Sequence, residues 1–142
     1  MSVINNIQDE IIEEFSGLSD WMDKYAYIIE LGNAVEPLEE KYKTPENIID
    51  GCQSRVWVVA EEQDGKVVFR ADSDAIIVKG LISLLIRVYS GHTPQEILDA
   101  DLYFMKEIGL QEHLSPTRSN GLLAMIKQIR VYALAYKAKM EN

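Results

Sequence analysis

Cys52 is the only cysteine in the 142-residue chain. It stands in the stretch IIDGCQSRVWVVA, where a loop becomes a strand. A lone thiol has no partner for an internal disulfide, but it can attack an electrophile or carry a group. Free cysteine more often serves as a small buried hydrophobe. The neighbours here argue for display instead. Gly51 removes side-chain bulk and permits unusual backbone angles. Gln53 and Ser54 are poor core neighbours, and loop-to-strand junctions often present functional groups.

Activation of the thiol is less evident. An ordinary thiol titrates near ~8.5, so little of it is thiolate at neutral pH. Asp50 would raise that value if close. Arg55 would lower it, but strand alternation can turn it away. The two histidines, His92 and His113, are distant in sequence. A stand-alone Cys–His hydrolase or transferase therefore depends on geometry that sequence does not show. A weakly activated thiol suits an acceptor whose electrophile is brought by another protein.

Solitude has its own chemistry. A persulfide on Cys52 would meet no second thiol in this chain to release its sulfur as sulfide. Thioredoxin-like chemistry needs C-x-x-C, which is missing. Iron–sulfur and zinc sites need several thiolates or histidines, so no metal or organic cofactor is expected on this chain alone. A remaining reading makes Cys52 structural within a pure interaction module.

The elements that position Cys52 follow from periodicity. Ile4, Ile7, Ile11 and Phe15 share one helical face, and Gly17 ends that helix. Ser19 or Asp20 can cap a second helix in which Trp21, Tyr25, Ile28, Ile29 and Gly32 align. Residues 33–49 contain Pro37 and Pro45 and read as a mostly irregular connection. SRVWVVAEE and KVVFRAD are strands joined at Asp64-Gly65, a hairpin signal. Asp72-Ser73-Asp74 offers N-cap oxygens to AIIVKGLISLLIRVY, a buried helix with Lys79, Ser83 and Arg87 as its polar stripe. Pro94 opens a short helix, and YFMKEIGL is another, stopped by Gly109. Ser115-Pro116 opens the last helix, whose face is Leu122, Met125, Ile126, Ile129, Tyr132 and Tyr136. The expected architecture is α+β: a small antiparallel sheet packed against helices on one side.

Length fits a single domain over residues 1–142. No charge-free run is long enough for a membrane helix, and the acidic start MSVINNIQDEIIEEF is neither a secretory nor a transit signal, so a cytoplasmic protein is expected. The net charge of −9 is uneven. Residues 1–50 hold 12 acidic and 3 basic side chains, while residues 51–142 hold 11 of each. That acidic half is a solvated face or a docking surface for a basic partner, and it disfavours nucleic acid.

GCQSRVW (51–57), SDAIIVKGLI (73–82) and HLSPTRSNGLLAMI (113–126) together resemble, in order and spacing, the SufE-type sulfur-acceptor proteins. The resemblance implies a fold shared with IscU-type scaffolds. It also implies a role as acceptor and activator for a SufS-like cysteine desulfurase, whose own pyridoxal phosphate removes sulfur from L-cysteine. Sulfur would travel as a persulfide on Cys52 to a SufBCD-like iron–sulfur assembly scaffold. A paralogous role beside a different desulfurase is the alternative. By the same resemblance Gly51, Gln53 and Ser54 shape the loop, Asp74 holds it at rest, and Arg118 contacts the desulfurase. From the residues alone, Asp74 is equally a helix cap, Arg118 a solvated side chain, His113 a local packing group and Trp57 core. YFMKEIGL is only loosely family-like, so no role passes to Lys106 or Glu107. The resting Cys52 is expected to be sheltered.

Overall fold

Two runs of β-branched and aromatic residues form the only sheet among the described residues. In the computed structural model, which describes residues 3–141, β1 (Val56–Gln63) pairs antiparallel with β2 (Lys66–Ser73). Val56 faces Ser73 at one end of the ladder and Gln63 faces Lys66 at the other. The turn between them needs positive φ at both central residues, and Asp64 and Gly65 supply φ of 52° and 81°. Along β2, Val67, Phe69 and Ala71 are buried, the alternation of a half-buried strand.

Among the described residues seven α-helices accompany this hairpin: α1 (Val3–Ser16), α2 (Trp21–Asn33), α3 (Ile76–Tyr89), α4 (Pro94–Asp99), α5 (Phe104–Glu107), α6 (Leu110–His113) and α7 (Pro116–Met140). The fold is mostly helical around a two-stranded antiparallel sheet, as expected. Asp20 caps α2 by accepting from the Asp23 N–H at 2.9 Å. Thr93 and Glu96 form a capping box on α4. Ser115 caps α7 by accepting from the Arg118 N–H.

Helix α3 is the central post. Ile77, Leu81, Ile82, Leu84, Leu85 and Val88 are all buried on it. Its polar stripe is fully used. Lys79 pairs with Asp72 at 3.4 Å, the Ser83 hydroxyl donates to the Gly80 carbonyl, and Arg87 pairs with Glu14 of α1. Helices α2 and α3 cross so closely that a Cβ on Gly80 would lie 2.1 Å from the Ile28 carbonyl oxygen. Glycine is required there by space, with no demand on φ.

Three local features depart from the periodicity. The connection after α2 is less irregular than expected: it contains 3-10 turns at Glu40–Tyr42 and Pro45–Asn47. It is also tied down by polar contacts, with Leu38 N–H donating to the Asp72 carboxylate and Lys43 pairing with Asp72 at 3.4 Å. Gly109, at φ 82°, ends one short helix as expected but also starts another, α6. Gln8 lies buried on the apolar face of α1. Its side-chain oxygen accepts from the N–H groups of Tyr103 and Phe104, and its amide donates to the Asp101 carbonyl. A buried amide satisfied this way supports the start of α5.

Candidate functional site

The Cys52 loop is closed at its base. The Ile49 N–H donates to the Val56 carbonyl at 2.9 Å, and Ile48 bridges Trp57. Three further bonds fix Arg55 on the way into β1. Its N–H donates to the Asp74 carboxylate at 3.0 Å. Its carbonyl accepts from the Ser73 hydroxyl at 2.8 Å and from the Asp74 N–H at 3.2 Å.

The helix cap expected of Asp74 is not formed. The N-cap of α3 is Ala75, which makes no side-chain cap. Asp74 sits one residue too early, so its carboxylate faces the loop. Ser73 serves both sides, since its hydroxyl also accepts from the Ala75 N–H.

Within this frame Gly51 takes φ 92°, and a Cβ there would meet the Ala124 Cβ at 3.3 Å. The glycine is thus required by conformation and by the approach of α7. Cys52 is half-buried and packs against the hydrophobic core. Its Sγ lies 3.5 Å from the Gly121 carbonyl oxygen on α7. A carbonyl accepts from S–H but gives a thiolate nothing, and burial pushes the thiol above its ordinary pKa. The resting thiol is therefore held protonated.

A cavity of about 110 Å³ opens beside the sulfur. Gln53 and Ser54 line it with Cys52, and so do Val78 and Leu81 of α3 and Thr117, Arg118, Gly121 and Met125 of α7. The structure thus brings Gln53, Ser54 and Arg118 to the cysteine, while Asp74 grips the loop from behind. Arg118 is not the solvated side chain that its place in a helix's first turn implies. Its guanidinium donates to the Tyr25 hydroxyl at 3.1 Å and lies 6.0 Å from that ring's centroid.

Gly121 and Tyr25 were not singled out as site residues by sequence reasoning. Gly121 does fall inside the SPTRSNGLL segment, whose one glycine on the first turns of a helix is a usable signal of close approach. Tyr25 has no such signal.

The histidines lie elsewhere. His113 stacks on Trp21 with ring centroids 4.4 Å apart and bonds the Gly109 carbonyl, a local packing role. His92 is buried beside Val67 and burial lowers its pKa. Neither lines the Cys52 cavity. Trp57 is core, as expected, with the Lys43 ammonium 5.4 Å from its ring centroid. Among the described residues no three His, Cys, Asp or Glu side chains converge as metal ligands, and no helix is long and apolar enough to cross a membrane.

The SufE family, described as an Fe-S metabolism associated domain, matches residues 9–133. The chain belongs to the SufE family. That match spans the Cys52 loop, the Asp74 grip and most of α7, so the cavity lies wholly within the SufE domain. SufE membership places the chain in sulfur handling for iron–sulfur metabolism. The fold is also similar to the solution structure of a hypothetical protein from Thermus thermophilus. The TM-score is 0.73 at 23% identity, over 91% of this chain and 94% of that one.

Proposed function

We propose that this SufE-family chain accepts sulfur from a SufS-like cysteine desulfurase as a persulfide on Cys52 and passes it to a SufBCD-like iron–sulfur scaffold. The observation that carries the reading is the setting of Cys52: a solitary thiol, held protonated against a carbonyl, beside a cavity with room for another sulfur. A nucleophile that works alone would be expected to have a lowered pKa and a base within reach. Cys52 has a raised pKa, and neither histidine is at its cavity.

The transfer is an exchange at sulfur. The Cys52 thiolate attacks the terminal sulfur of the partner's persulfide. The partner's S–S bond breaks, its cysteine leaves as thiolate, and Cys52 holds the new S–S bond. The sulfur comes from L-cysteine, from which the desulfurase would remove it with its own pyridoxal phosphate. Before this step Cys52 must lose its proton and move away from Gly121, which docking of the partner would bring about. Half-burial of the acceptor thiol at rest would limit the access of solvent thiols to bound sulfur.

The test mixes the protein with a cysteine desulfurase and L-cysteine, follows alanine, and takes an intact mass without reductant. Faster alanine production and one added sulfur are expected, both abolished by Cys52→Ser. Neither effect, with several desulfurases of the class, would sink the proposal and return Cys52 to a structural role.

A further inference from the structure

Arg118 is held in a place that its local electrostatics disfavour. It lies in the first turn of the 25-residue helix α7, at the positive end of the helix dipole. A long, flexible cation there would swing into water unless something retained it. Tyr25, 93 positions earlier in the chain and on another helix, retains it through its hydroxyl and its ring face. Tyr25 is itself fixed. Its ring meets Trp21 edge-on with centroids 6.4 Å apart, and Trp21 stacks on His113. The hydroxyl engages one N–H of a guanidinium that has five. Among the described residues Arg118 is the one cation lining the Cys52 cavity.

We propose that Arg118 is the receptor for the terminal sulfur of a Cys52 persulfide, and that Tyr25 is the positioning residue that keeps the guanidinium at the cavity. The inference rests on the reading of Cys52 as a sulfur carrier. A persulfide extends the side chain by one S–S bond of about 2.05 Å. The cavity of about 110 Å³ exceeds what one more sulfur needs, a water-sized atom taking about 30 Å³. Persulfides are more acidic than thiols because the adjacent sulfur spreads the charge, so the terminal sulfur is anionic at neutral pH. The Gly121 carbonyl suits the resting S–H, and the guanidinium suits the anion that replaces it. The site thus holds the empty and loaded states with different groups.

The persulfide can be made without a desulfurase. Cys52 is first converted to a mixed disulfide with an aryl thiol. Hydrosulfide then attacks the Cys52 sulfur, forms Cys52–S–SH and expels the aryl thiolate, with one negative charge on each side. The pH profile of persulfide alkylation by iodoacetamide, read by intact mass, reports its ionisation. Tyr25→Phe keeps the ring and removes the hydroxyl. It is expected to move the midpoint up by about one pH unit, about tenfold less anion on the acid limb. Arg118→Gln is expected to do the same, and the double variant to add nothing. The alkylation profile of the unloaded thiol should not change in either variant, which a merely structural effect would not spare.

A Tyr25→Phe profile coincident with wild type would overturn the positioning role. A coincident Arg118→Gln profile would overturn the receptor, and it decides the matter if Tyr25→Phe does not fold. Immediate loss of sulfur from the wild-type persulfide would also overturn it. Shifted profiles alongside a failed desulfurase assay would instead leave the receptor standing and reject the partner.

Discussion

Asp74 and Arg55 are joined by two backbone-directed hydrogen bonds. The Arg55 N–H donates to the Asp74 carboxylate at 3.0 Å, and the Asp74 N–H donates to the Arg55 carbonyl at 3.2 Å. Asp74 is exposed, so its bonds work against competition from water. The pair closes the C-terminal side of the cysteine loop with little buried support, which suits a contact that opens.

Asp74→Ala removes the carboxylate but not the backbone bond. A loss of about 1 kcal/mol from the closed loop raises the open population about fivefold. Alkylation of Cys52 in the free protein is expected to speed up by that factor, with Asp74→Asn close to wild type. Equal rates in wild type and Asp74→Ala would show that the carboxylate does not restrain the loop.

Burial favours the neutral form of Cys52, so its thiolate forms only above the ordinary range. Its alkylation rate should still be climbing past the ~8.5 of an ordinary thiol, and should revert to ordinary behaviour in strong denaturant. A midpoint below that value would reveal an activating cation at rest and revive the stand-alone catalyst.

Asp72 is a buried carboxylate between Lys43 and Lys79. Burial raises its pKa, but the N–H groups of Leu38 and Ser73 and the two ammonium groups outweigh that and hold it below the usual carboxylate value. The unfolded chain therefore takes up the proton first. The stabilisation is complete above the unfolded value of ~3.9 and is lost as pH falls through the folded one. Urea midpoints measured from about pH 2 to 6 should fall on the acid side, and the fall should be shallower in Asp72→Asn. At neutral pH that variant should lose about 3 kcal/mol, since Lys79 loses its carboxylate partner and Lys43 is left with Glu40 alone.

Gly80→Ala tests the helix crossing. The added methyl would sit 2.1 Å from the Ile28 carbonyl oxygen and 2.6 Å from its Cγ2, with backbone on one side and no flexible end to yield. A loss of about 3 kcal/mol or more is expected, read as a lower urea midpoint at unchanged slope. A midpoint within error of wild type would mean that α2 and α3 can separate freely.

What was legible in the sequence was what neighbours in the chain decide. Asp64-Gly65 marks its turn because only the local φ matters, and α3 announces itself by an apolar run too long for a strand. Cys52 stood out by type and by the glycine before it. The helix-cap reading of Asp74 shows the limit. One position separates a helix cap from a loop clamp, and sequence does not fix where α3 begins to that precision. Tyr25 could not be found at all, because its partner lies 93 residues away and an aromatic on an apolar helix face looks like core. The Gly121 carbonyl was hidden for a related reason, since a backbone acceptor carries no mark of residue type.

The pinned base of the cysteine loop also sets a length. Cys52 is three residues from Ile49, whose N–H is tied to Val56. Extended chain covers about 3.5 Å per residue, so even with Arg55 released the sulfur travels on a leash of about 10 Å. Under the proposed transfer, a donor sulfur must therefore come within that reach of the loop's base, which sets how closely the two surfaces have to approach.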